Sequence, residues 1–318
     1  VTGRESGPGS GPAAGSGPAA APPTVIVHPD AGVLARAAAA RLITALVDAQ
    51  AARGSASLVL TGGGIGVALL RAMRGNPALD AVDWSRVDVW WGDERFVPAG
   101  SPDRNDSQAW EALLEHIPLD PARVFPMGHP ALARAGGDVE TANPLTVTDG
   151  AGRLATIRPI GVEEPETAAA QYAAELAARA DAGSAVPAFD VLLLGLGPET
   201  HVASIFPDSP AAVATEPVTA VRDCPKPPPT RVTLTMPTLR SAREVWVVVA
   251  GEEKADAVAA ALAPGADPVR WPAAGAAGRE RTLWLVDRAA ALRLQPRAGS
   301  PEPRGTRPGG ARPGSAAG

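Results

Sequence analysis

The chain has 318 residues, 45% of them hydrophobic, a net charge of −5 and one cysteine, Cys224. That length admits one large domain or two small ones with a sizeable core, while a single cysteine excludes a disulfide framework and a cysteine zinc site. The mildly acidic balance, with no basic run in the middle of the chain, argues against nucleic acid as a partner, and no stretch approaches the about 20 continuous apolar residues of a membrane helix.

Residues 1–23 are almost all Gly, Pro, Ala and Ser, and residues 296–318 repeat that composition with added Arg. Neither segment has enough apolar surface to offset chain entropy. Both are expected to be disordered tails around a single α/β domain at residues 24–295. No charged start followed by an apolar segment opens the chain, so no secretory signal is expected and a soluble cytoplasmic protein is the default reading.

Inside the domain, strands and helices alternate. "TVIVH" (24–28) reads as a strand. Asp30 then caps a helix with Leu34, Ala38, Leu42 and Leu46 on one face, and Gly54 ends it. "SLVL" (57–60) is a buried strand leading into "TGGGIG", and "VALLRAM" continues as a helix. "VDVWW" (87–91) is the next strand, followed by a helix around Ser107 to His116. Residues 128–163 are long for a connection within a compact domain. "TVTDGAGRLATI" there fits a small hairpin with its turn at Asp149-Gly150, and the stretch reads as a surface excursion rather than an active-site lid. "ETAAAQYAAELAARA" (166–180) is an Ala-rich helix. "FDVLLLG" (189–195) is a strand without polar alternation, as expected when both faces are covered. "RVTLT" (231–235), "EVWVVVA" (244–250) and "TLWLVD" (282–287) are further strands, with a helix from about Lys254 to Leu262 between the last two. The alternation predicts a mostly parallel sheet with helices on both faces. Ligands of such sheets bind beyond the carboxyl ends of the strands, which directs attention to the loops after Leu60, Trp91 and Leu194.

The first loop, "LTGGGIG", places glycine N–H groups between a strand and a helix, where an anion can be held. It lacks the Gly-Lys-Ser/Thr of a Walker loop, and Val67 stands where a dinucleotide fingerprint needs glycine. The second, "WWGDERFVP", sets Asp93 and Glu94 on opposite sides of an extended chain, a poor acid/base pair, beside Arg95, whose fork suits phosphate or carboxylate. The third, "GLGPETHVASIFP", offers His201 for proton transfer near neutral pH, with Glu199 two residues before it. Each loop alone also fits a structural role: a tight turn, a surface ion cluster, a capping or core histidine. The histidines at 28, 116, 129 and 201 show no ligand-pair spacing, so no metal site is expected.

Together, "LTGGGIGVALLRAM", "WGDERFVP" with the downstream "RND", "LLLGLGPETHVASIFPDSP", and "KPPPTRVTLTMPTL" followed by "REVWVVVAGEEKADAV" resemble the 6-phosphogluconolactonase family, in the family's order and over most of residues 24–294. The resemblance implies a modified Rossmann-like fold shared with glucosamine-6-phosphate deaminases. It implies an esterase without metal or cofactor, acting on the lactone of 6-phosphogluconate in the oxidative pentose phosphate pathway. It makes His201 the general base, Glu199 its support, and Arg95 a ligand of the phosphate or of developing charge. It adds Gly62, Gly63, Gly64, Asp93, Arg104, Asn105, Lys226 and Arg231 as substrate-binding residues. The only partner it implies is this small phosphorylated lactone, with neither nucleic acid nor membrane, and a monomer is expected. The chain departs from the family at Thr200, where glycine usually precedes the histidine. A threonine forced to positive φ there costs about 1–2 kcal/mol.

Rival readings remain. A sugar-phosphate isomerase-deaminase on the same scaffold needs a carboxylate base from the Trp-Gly-Asp-Glu-Arg loop; "SIFP" after His201 and Trp91-Gly92 favour the lactonase. A sugar-phosphate-binding protein without turnover is motivated by Thr200. A general acyl hydrolase would need Ser204 as nucleophile, and no Gly-x-Ser-x-Gly elbow surrounds it.

Overall fold

The computed structural model describes residues 22–133, 139–140, 145–148, 154–157 and 160–294. Nearly all of the two expected tails, and the turn expected at Asp149-Gly150, lie outside them. Along the chain run β1 (Thr24–His28), β2 (Ala56–Leu60), β3 (Val87–Trp91), β4 (Asp93–Arg95), β5 (Val191–Leu194), β6 (Val218–Val221), β7 (Arg231–Leu234), β8 (Glu244–Val249) and β9 (Arg281–Asp287). The main helices are α1 (Ala31–Arg53), α2 (Gly63–Arg74), α3 (Asn105–Ala112), α4 (Pro165–Ala178) and α5 (Ala255–Ala261).

A 6-stranded parallel sheet has the order β1-β9-β8-β5-β2-β3. Its strands are apolar on both faces because each face has its own core. Val191 and Leu193 point into one cluster with Trp91 and Trp246. Leu192 and Leu194 point into the other with Trp90 and Trp284. The period of two in a strand divides neighbours in this way, so a continuous apolar run is what a doubly covered strand requires.

The helices follow from their ends and faces. Asp30 accepts the Val33 N–H at 2.8 Å to start α1, and the Gly54 N–H closes it on the Gln50 carbonyl. Leu34, Leu42 and Leu46 are fully buried along it, each contributing about 1.5–3 kcal/mol of apolar transfer. α3 starts two residues before Ser107 and stops at Ala112, where Leu113 turns to φ −147°; a tighter turn then carries the chain to His116. Among the described residues no helix is long and apolar enough to cross a membrane.

"RVTLT" is a strand, but not one of the parallel sheet. β7 lies between β6 and β4 in an antiparallel 3-stranded sheet. The connection from β6 to β7 is the short, proline-rich segment 222–230, with no crossover helix, and a parallel return needs one. This small sheet sets Thr233 opposite Asp93 and Arg231 opposite Arg95. Of the 128–163 excursion, 145–148 and 154–157 pair as an antiparallel hairpin beside the 114–116 and 121–123 turns. His129–Pro130 pairs with Gly161–Val162 at its base.

Candidate active site

Because β2 and β5 are neighbours, the loops after Leu60 and Leu194 meet, and the Gly195 N–H reaches Thr61 Oγ1 at 3.3 Å. β3 and β8 flank them. A cavity of about 650 Å³ opens over these carboxyl ends, a size suited to a small metabolite. Gly62, Gly63, Gly64, Asp93, Arg95, Asn105, His201, Lys226 and Arg231 line it. No described residue of the 128–163 excursion does.

The glycine wall is the start of α2, whose first turn carries no acidic side chain. Free N–H groups and the helix dipole there favour an anion. Gly62 has no room for a side chain, since a Cβ would lie 1.7 Å from Asn105 Oδ1. Asn105 is held in turn by Asp93, donating through Nδ2 to its carbonyl at 2.8 Å and to Oδ1 at 3.3 Å. The other carboxylate oxygen of Asp93 accepts the Ser204 hydroxyl at 2.6 Å. Ser204 is fully buried and outside the cavity wall, so its hydroxyl braces Asp93 and is no nucleophile.

Arg95 lines the cavity, and its side chain is steadied by a 2.6 Å bond from Nη1 to the Asp103 carbonyl. Lys226 Nζ lies 2.9 Å from Glu199 Oε2. Arg231 donates to the carbonyls of Lys226, Pro227 and Pro228 and stands 3.9 Å from Asp93, so it fastens the loop that carries Lys226. Arg104 corrects an expectation. It does not reach the cavity, because Asp106 and the carbonyls of Met127, Val97 and Gly128 take its donors in a site with 0% exposure. The adjacent Glu94, equally buried, accepts the N–H groups of Arg95, Asn105 and Asp106. Loss of water pushes its carboxyl up to about 7 against the opposing pull of Arg104.

His201 leans on the Phe206 ring, with centroids 4.5 Å apart. Its Nδ1 is 3.2 Å from Glu199 Oε1, a contact not aligned as a hydrogen bond. Burial pushes the imidazole pKa down to about 4, with Glu199 and Asp93 pulling upward and Lys226 downward. Burial also pushes the Glu199 carboxyl up, but the Lys226 bond and the nearby charges more than offset it and leave the carboxyl below its ordinary value. The ring fits because residue 197 is glycine: a Cβ there would lie 1.9 Å from Nδ1 and 2.1 Å from Cε1. Thr200 has φ 72°, the left-handed region, with its N–H on the Gly197 carbonyl and its own carbonyl accepting the Ala273 N–H. A conformation that usually falls to glycine is therefore held here by a threonine.

Lys254 and Glu253 also line the cavity, and sequence reading passed over them. Burial, with Lys226 nearby, pushes the Lys254 ammonium pKa down. Their signal was the position of "GEEK" directly after the strand "EVWVVVA", on the same sheet edge as the three loops.

The family model described as glucosamine-6-phosphate isomerases/6-phosphogluconolactonase matches residues 29–284. The chain belongs to this family. It is 54% identical over 275 residues to a 6-phosphogluconolactonase of Streptomyces coelicolor, covering 86% of this chain and 95% of that one. It is 46% identical over 272 residues to that of Mycobacterium tuberculosis, covering 85% and 98%. The solved 6-phosphogluconolactonase of Trypanosoma brucei superposes with a TM-score of 0.66 at 29% identity, over 86% of this chain and 99% of its own. A monomeric glucosamine-6-phosphate deaminase shares the fold, with a TM-score of 0.62 at 17% identity over 85% and 99%. The α/β architecture expected from the alternation is thus the architecture of the family.

Proposed function

We propose that the chain hydrolyses 6-phosphoglucono-1,5-lactone to 6-phosphogluconate, the lactone step of the oxidative pentose phosphate pathway, with His201 as general base. The lactonase relatives support the reaction. The observation that carries the base is the placement of His201: a largely buried imidazole, neutral at physiological pH, in the wall of a cavity that also presents Arg95, Lys226 and Lys254.

His201 takes a proton from water as the water oxygen bonds to the lactone carbonyl carbon. The carbonyl oxygen becomes an oxyanion. When it collapses, the ring C–O bond breaks and the imidazolium returns its proton to the leaving ring oxygen. The acid formed then loses its proton to solvent. Two anionic centres need fixed donors, the phosphate and the oxyanion. Arg95, Lys254 and the N–H groups of Gly63 and Gly64 supply them from the wall, prearranged and partly shielded from water. A deaminase would need a carboxylate base from this loop, but Glu94 is buried off the cavity on backbone N–H groups and Asp93 has one oxygen on Ser204 and the other on Asn105, which leaves neither well placed. The test is acid release from freshly generated lactone with the spontaneous rate subtracted, beside ammonia release from glucosamine 6-phosphate. Lactone turnover without ammonia is expected; ammonia without lactone turnover would make the chain a deaminase.

A further inference from the structure

Three charged side chains run in series from the cavity wall to the base. Lys226, about one-third exposed on that wall, meets Glu199 Oε2 at 2.9 Å, and Glu199 Oε1 stands 3.2 Å from His201 Nδ1 without bonding to it. Glu199 itself is not part of the wall. The charged groups facing the imidazole are Glu199 from its own loop, Lys226 from the 222–230 loop and Asp93 from β4. Those facing Lys226 are Glu199 and Lys254. One carboxylate thus serves both an ammonium and an imidazole. While Lys226 holds it, less of its field is available to a proton on the ring.

We infer that Lys226 is a positioning residue that couples anion binding in the cavity to the strength of the base: a phosphoryl group draws the ammonium off Glu199, and the freed carboxylate turns onto His201 Nδ1. The Nδ1–H then donates to Glu199, the ring is oriented, and Nε2 becomes the better proton acceptor. The lysine stem is long and its donors rotate, so exchanging a carboxylate for a phosphoryl oxygen is a small movement. Binding energy from a remote part of the substrate is in this way spent at the reacting centre. Coupling of this kind is reciprocal, so protonation of His201 also tightens anion binding. The inference takes its substrate from the lactonase reading, but the coupling itself needs no turnover.

The test is an NMR titration of the His201 imidazole, assigned with His201→Gln, in the wild type, Lys226→Met and Glu199→Gln. Each is titrated in sodium sulfate and in sodium chloride of matched ionic strength, sulfate being a dianion throughout the range. In the wild type, sulfate is expected to raise the His201 pKa by about one unit, tenfold in proton affinity. In Lys226→Met the pKa should already be raised in chloride, and sulfate should add little. In Glu199→Gln sulfate should again add little. A wild-type pKa that sulfate leaves in place overturns the coupling, as does an equal sulfate shift in Lys226→Met. Kinetics give a second readout. Lys226→Met should raise kcat/KM on unphosphorylated glucono-1,5-lactone roughly threefold, since a stronger base speeds proton transfer by part of its gain in affinity. It should lower kcat on the phosphorylated lactone; a change in KM alone contradicts the coupling. Absence of lactone turnover in the wild type would sink the substrate reading and leave the NMR result to decide the coupling.

Discussion

Two charged triads flank the cavity and behave oppositely. Glu94, Arg104 and Asp106 are buried almost completely, and backbone donors and acceptors fill their remaining valences. Glu199, Lys226 and His201 are each partly open, and the imidazole Nδ1 has a carboxylate within reach but no aligned bond. The first triad joins β4 to the start of α3 and so sets the backbone from which Arg95 and Asn105 face the cavity. The second has valence left for a substrate. Residue type does not separate the two; saturation of the hydrogen-bonding groups does.

Breaking the closed triad should have the largest effect. Arg104→Leu leaves two buried carboxylates without their cation, and a stability loss of about 3–5 kcal/mol is expected in urea unfolding. A loss below about 1 kcal/mol would mean that water reaches the cluster. The open triad should answer in rate. Gly197→Ala puts a methyl group where the imidazole stands and is expected to remove most of the catalysed excess, ~10²-fold, with a small change in unfolding midpoint. Full activity in that variant would show that the ring works from another position.

pH separates the triads by sign. The His201 pKa is lowered from 6.5 to about 4, so its contribution to stability is complete above pH 6.5 and is lost as pH falls toward 4. The Glu94 pKa is raised from 4.5 to about 7, so its contribution is complete below pH 4.5 and is lost as pH rises through 7. Urea unfolding between pH 4 and 7 should lose the first slope in His201→Gln and the second in Glu94→Gln. The acid limb of kcat/KM should fall near pH 4 rather than 6.5, because kcat/KM reports the free enzyme. The smallest effect belongs to Thr200. Thr200→Gly relieves about 1–2 kcal/mol of left-handed strain and gives back about 0.5–1 kcal/mol in chain entropy. A net gain of about 0.5–1 kcal/mol is expected in the same unfolding assay.

The parallel sheet was legible in the sequence because its strands are apolar on both faces and its helices carry caps and spacing that local chemistry dictates, as with Asp30 and Gly54. The three loops were legible because strand ends in such sheets carry ligands. The partners of β7 were not legible, because a run such as "RVTLT" states that it is a strand and not which strands it joins. Arg104 looked like an anion ligand since only packing reveals that Asp106 and backbone carbonyls exhaust its donors. Lys254 had a local trace, "GEEK" directly after the strand "EVWVVVA", but its approach to Lys226 of the 222–230 loop joins two separate sheets and is not written in either segment. The pairing of Lys226 with Glu199, which links residues 27 positions apart, has no local trace either.

The central claim is that His201, not Asp93 or Ser204, activates the water. Its most direct test is hydrolysis of freshly generated 6-phosphoglucono-1,5-lactone by the wild type and by His201→Ala, with the spontaneous rate subtracted and folding verified by unfolding midpoint. The account predicts a wild type well above background and a folded variant that loses at least ~10²-fold of that excess. A folded His201→Ala that keeps most of the wild-type rate would contradict it.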